Sequence, residues 1–188
     1  MALSSIALCA RALLKLGCAT IASFDEGTAE SEVAANLYPS TRDALLSAHR
    51  WTFALGQATL PRLSGVPVAD YDYAYQLPAD FLRVISAGAD RGRGLDYRLM
   101  ERRLHTNADQ VVLTYIFRPD EMAFPPFFDQ VLIARLAAEF CIPLTESPTR
   151  AEALYRIAND EFARAKGIDG QQQPPAAIEE FPLLEARN

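Results

Sequence analysis

Cysteine and histidine are scarce in this sequence. The three cysteines, Cys9, Cys18 and Cys141, are scattered, and the two histidines, His49 and His105, do not stand at any metal-ligand spacing. Structural zinc sites and haem attachment sites need such residues in closely spaced motifs. The sequence therefore predicts no metal site and no cofactor, and free thiols are typical of a protein made in a reducing cytoplasm.

An excess of positive charge is also missing. Lys and Arg number 18 against 24 Asp and Glu, which leaves a net charge of −6 at pH 7 and a pI near 5.0. Because the DNA backbone repels a protein with this balance, a DNA-binding protein that reads the grooves is disfavoured. With 188 residues, half of them hydrophobic, the chain can build one core without disulfides or metal.

Long apolar runs are absent as well, since no stretch reaches the roughly 18 residues that a membrane-spanning helix needs. Residues 2–24 are apolar and hold no acidic residue before Asp25, which raises the question of a signal or transit peptide. Arg11 and Lys15 lie inside this stretch and interrupt the core of any signal peptide. We expect no secretory signal and no membrane partner, with a transit peptide as the alternative.

The first 50 residues carry the helical period. Ser4 or Ser5 can cap a first helix, and Gly17 is a typical stop signal. Apolar residues then keep a single period through residues 28–50, in spite of Pro39. We expect one long helix there, kinked at the proline. Two helices separated at Pro39 are the alternative.

Helical signals return in the last third of the chain. Residues 127–142 are apolar on nearly every face, so a helix there has to be covered on more than one side. Pro143 is expected to stop it. Ser147 and Pro148 form a typical start for a final helix, which Gly167 is expected to end.

Between the helical parts, the sequence changes to the alternating pattern of strands. Four stretches are expected to be strands, namely residues 71–76, 81–86, 95–99 and 110–117. Turn-forming residues separate the later strands at 89–94 and 105–109. Trp51, at the change from helix to sheet, is expected to be structural.

Together these patterns predict an α+β fold that is mainly α, an antiparallel helical bundle with an inserted small antiparallel β-sheet and an extended C-terminal tail. A single domain is expected over residues 1–168, with helical parts at 1–50 and 125–167 and the β insertion at 51–118. The tail comprises residues 169–188.

The C-terminal tail cannot build a core of its own, and yet it carries several apolar side chains. Residues 171–175 are three glutamines and two prolines, which favour an extended chain. The apolar residues that follow are Ile178, Phe181, Leu183 and Leu184. Because only a partner can bury them, we predict that the tail is an interaction segment.

Two pairs of charged residues are further interface candidates. Arg135 and Glu139 lie four residues apart on one helical face, either as a solvated stripe or as an ion pair at a subunit contact. Arg91 and Arg93 lie in the turn at 89–94, which is expected to project and to offer forked contacts to carboxylates.

No residues show the spacing of a catalytic group, so the sequence predicts a protein that is not an enzyme.

Three motifs occur in an informative order. An N-terminal helix ends in Leu16-Gly17, a helix of small residues runs into Arg50-Trp51-Thr52-Phe53-Ala54, and Leu77-Pro78-Ala79-Asp80-Phe81-Leu82-Arg83-Val84 follows. This order resembles the tail tubular and head-to-tail adaptor proteins of tailed bacteriophages. The final small-residue helices, 132–141 and 151–166, are similar too, so the resemblance covers residues 8–170.

The resemblance implies a structural protein of the virion, made in the cytoplasm of the bacterial host and located in the phage neck. A homo-oligomeric ring of about twelve copies would dock below the portal protein and extend the channel, through which double-stranded DNA passes without specific binding. The ring would attach the next tail or nozzle component, and the C-terminal tail would bind the portal or an adjacent copy. The family has no catalytic residues to carry over.

Two other functions remain open from the residues alone. The first is a small soluble enzyme that uses a cleft between the sheet and the helices. The second is a regulatory helical protein that binds a partner through its C-terminal tail.

Overall fold

The computed structural model describes residues 3–89 and 92–172. Over these residues the chain forms the helices α1 (Ser5–Leu16), α2 (Ala29–Ala48), α3 (Pro126–Thr145) and α4 (Pro148–Gly170). Between α2 and α3 lie the strands β1 (Leu55–Thr59), β2 (Tyr73–Gln76), β3 (Phe81–Gly88), β4 (Arg98–Met100), β5 (Arg103–Thr106) and β6 (Val112–Phe117). The mixed, mainly helical α+β fold expected from the sequence is confirmed.

The first two helices begin and end where their sequences indicate. The Ser4 side chain accepts a hydrogen bond from the backbone N–H of Ala7, and Gly17 ends α1 in the left-handed conformation with φ of 73°. Thr28 and Ser31 form a reciprocal capping box at the start of α2. Helix α2 continues through Pro39, so one long helix is confirmed and the alternative of two is wrong.

Both C-terminal helices run further than expected. Pro143 does not stop α3, which reaches Thr145 because a proline removes only one donor and the last turn is closed by the N–H of Glu146 on the Ile142 carbonyl, 3.0 Å away. Gly167 does not stop α4, which continues to Gly170. The proposed boundary between domain and tail at residue 169 is therefore too early.

Helix α3 forms the centre of the bundle and packs against α1, α2 and α4. Eleven of its residues are buried, among them Phe128, Leu132, Leu136 and Phe140. The apolar character of this helix on nearly every face is thus satisfied within one subunit. It does not by itself require a neighbouring copy.

The β region contains two sheets and not the single sheet that was expected. The first has the order β1-β6-β3 and the second β2-β5-β4, all antiparallel. Strands β1 and β5 were missed because Leu-Gly-Gln-Ala-Thr is a weak strand sequence and because residues 105–109 carry turn-forming residues. In the fold, His105 and Thr106 belong to β5.

Trp51 joins the helices to the sheets and is fully buried. Its indole N–H donates to the carbonyl of Leu45, 2.9 Å away. Its ring makes edge contacts with Phe128 and Phe162, at centroid distances of 5.3 and 5.7 Å. The structural role expected for Trp51 agrees with this position.

A network of charged residues also ties α2 to the segment that follows β6. Arg118 and Arg42 each donate to Asp43 over 2.9 Å, and Arg42 donates to Glu121 over 2.9 Å. The Tyr38 hydroxyl also donates to the Glu121 carboxylate. Burial alone would raise the pKa of Asp43, but the hydrogen bonds from Arg118 and Arg42 hold that pKa below its ordinary value.

Candidate functional site

An open groove lies between α2 and α4, with α3 as its floor. We call it the α2–α4 groove, and it encloses about 260 Å³. It arises because α2 and α4 both pack on α3 and make little contact with each other. Its lining residues are Thr41, Ala44, Leu45, Ala48, Arg135, Glu139, Ala158, Asn159 and Phe162.

The predicted pair of Arg135 and Glu139 forms in the floor of this groove. Arg135 Nε donates to Glu139 Oε1 over 2.8 Å, and the other carboxylate oxygen accepts from the Tyr155 hydroxyl, also at 2.8 Å. The Arg135 guanidinium carbon lies 4.9 Å from the centroid of the Tyr155 ring. Burial and the bond to Glu139 raise the pKa of Tyr155. The pair therefore links α3 to α4 within one subunit.

The turn at residues 89–94 was expected to project from the fold, but part of it does not. Gly92 is buried with φ of +64°, and a Cβ at this position would lie 2.9 Å from Thr114 Oγ1. The N–H of Leu95 donates to the carbonyl of Ala87 over 3.1 Å. This side of the turn therefore folds back on the first sheet, because a glycine lets the backbone approach closely. Arg93 is exposed, and Arg91 lies outside the described residues.

The apolar residues of the C-terminal tail, Ile178, Phe181, Leu183 and Leu184, also lie outside the described residues. The contacts of Asp169 and Gln172 show where the tail leaves the helical bundle. Asp169 is buried and accepts hydrogen bonds from the N–H and the hydroxyl of Thr52, at 3.1 and 2.7 Å. Thr52 also contacts Gln172, with 3.3 Å between Thr52 Oγ1 and Gln172 Oε1. The chain thus leaves the helices beside the end of α2.

Sequence reasoning missed an exposed apolar loop between β1 and β2. Val66 and Val68 have relative exposures of 77% and 106%, and they flank Pro67. The Ser-Gly-Val-Pro-Val sequence that surrounds this proline was the available signal, since it joins turn-forming residues to apolar ones. Exposed apolar side chains on a defined loop are typical of an interaction surface.

His105 lies beneath this loop on the second sheet and is 8% exposed. Neither of its ring nitrogens has a hydrogen-bond partner within residues 3–89 and 92–172. Two clefts of about 280 and 310 Å³ flank it, and Arg103 lines both. The burial of His105 could not be predicted from the sequence, because it depends on how the loop covers the sheet.

The helices expose apolar side chains of their own. The larger ones on this surface are Leu14, Ile142, Ile157 and Ile168, with relative exposures between 62% and 40%. They lie on α1, α3 and α4. The helical bundle and the loop at residues 66–68 therefore each present apolar surface.

In the described part of the chain, no three His, Cys, Asp or Glu side chains come together in a way that could hold a metal ion. Among the helices described above, none combines the length and the apolar character that a bilayer crossing requires.

Comparisons with known proteins add no family assignment. No protein-family model matches the chain, and a search of curated proteins finds no match either.

Proposed function

We propose that this protein is a head-to-tail adaptor of a tailed bacteriophage. As a structural subunit of the virion neck, it would form a ring below the portal, extend the DNA channel and receive the next tail component. The order of the sequence motifs supports this proposal, as does the mainly helical α+β fold that the resemblance implies. The observation that carries it is apolar side chains exposed on two different parts of the fold.

The two exposed surfaces lie on parts of the fold that have separate hydrophobic cores. Ile142 and Ile157 are about half exposed on the helical bundle, at 51% and 50%. Val66 and Val68 are exposed on the loop of the β region, where the two sheets share a second core. A ring subunit has to contact its neighbours and also a different protein above or below it, so it needs more than one such surface.

The helical bundle and the β region are firmly connected, as a subunit between the portal and the tail would require. Trp51 is packed among aromatic rings, and the ion pairs around Asp43 tie α2 to the chain after β6. The net charge of −6 also supports a conduit role, because a cationic channel would hold DNA and slow its passage.

The proposal is tested by mixing the protein with the portal protein encoded in the same genome. Native mass spectrometry and electron microscopy are expected to show a ring of about twelve copies bound to the portal. A complex with one adaptor and one portal subunit would contradict the proposal.

Point variants connect that assembly to the observed surfaces. Val68→Asp and Ile157→Asp each place a charge on one exposed apolar patch, and each is expected to reduce the number of bound copies without changing the melting temperature. Ala163→Asp is the matched control, since Ala163 is exposed elsewhere on α4. Unchanged assembly in both variants would show that the exposed apolar side chains are not contact surfaces, which would contradict the proposal.

A further inference from the structure

The walls of the α2–α4 groove are mainly apolar, and the described residues leave them uncovered. Ala44 and Ala48 are exposed on its α2 side, and Phe162 is half-buried on its α4 side. An apolar cavity of about 150 Å³ holds a benzene molecule. A groove of about 260 Å³ therefore has room for a phenylalanine ring and part of one aliphatic side chain.

The chain leaves α4 at the end of this groove. Gln172 lies beside Thr52, which follows α2 closely in sequence, and Ala48 at the end of α2 lines the groove. Phe162 lies eight residues before Gly170, a distance of about 12 Å along the helix. A segment that reverses direction after Gln172 would enter the groove between Ala48 and Phe162.

The length of chain beyond Gln172 is sufficient for this path. Phe181 follows Gln172 by nine residues, which span up to about 30 Å when extended. Pro174 and Pro175 disfavour a simple continuation of α4. Phe181 can therefore reach any part of the groove from its own subunit.

Charge and polarity also fit this segment. Glu179 and Glu180 precede Phe181 in sequence. Next to the groove, the Lys166 ammonium lies 4.9 Å from the centroid of the Phe162 ring. Among the described residues, the one carboxylate that lines the groove, Glu139, is paired with Arg135. The exposed amide of Asn159 lines the groove as well and can bond to an extended backbone.

We propose that residues 178–184 of the same chain occupy the α2–α4 groove, with Phe181 as the anchor. The sequence alone suggested a partner on the portal or on an adjacent copy, whereas the groove offers a binding place on the subunit itself. A tethered segment binds at a high effective concentration, so even a short apolar contact can hold it. The inference goes beyond the adaptor function and does not depend on it.

The test uses the full chain with the photoreactive amino acid benzoylphenylalanine at position 181. Equal amounts of isotope-labelled and unlabelled chains are mixed, irradiated and digested, and the cross-linked peptides are identified by mass spectrometry. We expect cross-links within one chain to peptides of α2 and α4 that line the groove. Cross-links between labelled and unlabelled chains, cross-links to other surfaces, or none at all would overturn the proposal.

A pair of substitutions on α2 tests whether the groove is the binding place. Ala44→Arg fills the groove and is expected to lower the cross-linked fraction about tenfold, which corresponds to about 1.4 kcal/mol. Ala35→Arg is the control, because Ala35 is exposed and lies nine residues away, on the opposite face of the helix. Both variants are expected to keep the parent melting temperature. Equal loss of cross-linking in the two variants would contradict a specific site.

Discussion

Asp169 in the last turn of α4 is fixed to Thr52 by hydrogen bonds from both its backbone N–H and its hydroxyl. The carboxylate is 1% exposed although it stands near the end of a helix. It joins the C-terminal end of the bundle to the turn that leads into the first sheet.

Replacement of Asp169 by Ala is expected to destabilise the protein by about 1.5 to 3 kcal/mol, the usual contribution of hydrogen bonds to a charged group. Urea unfolding monitored by circular dichroism measures the change. Asp160→Ala is the control, since Asp160 is exposed on the same helix. If both variants unfold at the same urea concentration, the contact with Thr52 does not stabilise the fold.

Truncation of Trp51 to Ala is expected to cost about 3 to 5 kcal/mol, as for other fully buried large aromatic residues. Trp51→Phe keeps an aromatic ring and loses the hydrogen bond to Leu45, so a smaller cost is expected. Thermal melting compares the two variants. An unchanged midpoint for Trp51→Ala would show that the ring is not part of the core.

Asp129 near the start of α3 gives the protein a pH-dependent stability. Burial raises its pKa to about 6, and the opposing charge of Arg11 only partly offsets this. The folded protein therefore takes up a proton at a higher pH than the unfolded chain does. From this group alone, stability is expected to rise as the pH falls from about 6 towards 4.

Asp129→Asn isolates that contribution. One carboxylate oxygen of Asp129 is buried without a hydrogen-bond partner in the described residues, so the neutral amide is expected to stabilise the protein at pH 7 by about 1 to 3 kcal/mol. The gain should shrink as the pH falls below about 6 and be close to zero at about pH 3, where the carboxyl is protonated in both the folded and the unfolded state. Urea unfolding of parent and variant at the two pH values checks this, and an equal difference at both would exclude Asp129 as the source.

Residues 92 and 93 should separate folding from assembly. Gly92→Ala places a side chain against Thr114 in a left-handed backbone conformation, so a loss of about 1 kcal/mol or more is expected. Arg93→Ala removes an exposed side chain and should leave the melting temperature unchanged while weakening binding to the portal. A destabilised Arg93→Ala variant would mean that this arginine supports the fold.

Local signals predicted the helices well and the sheets less well. Ser4, Gly17 and Thr28 act through neighbouring backbone groups, so their effects can be inferred from nearby sequence. The end of α4 could not be inferred in this way, because Asp169 bonds to Thr52, 117 residues away in the chain. A long-range contact outweighs the stop signal of Gly167.

The candidate site was predicted only in part. The spacing of Arg135 and Glu139 was sufficient to predict that they pair. It could not show that Tyr155 completes the contact, nor that the pair forms the floor of a groove. The groove depends on how far α2 and α4 diverge across α3, which is a property of packing and not of any local pattern.

The charged network around Asp43 makes one part of the attachment between the helices and the β region sensitive to salt. Arg118 and Arg42 hold this carboxylate from two sides while remaining partly accessible to water. Because salt screens charges that are accessible to water, the contact contributes less at high ionic strength. Ile116 of β6 is buried in the core of the helical bundle, and this apolar contact does not weaken with salt. The β region therefore stays attached to the helices over a wide range of ionic strength.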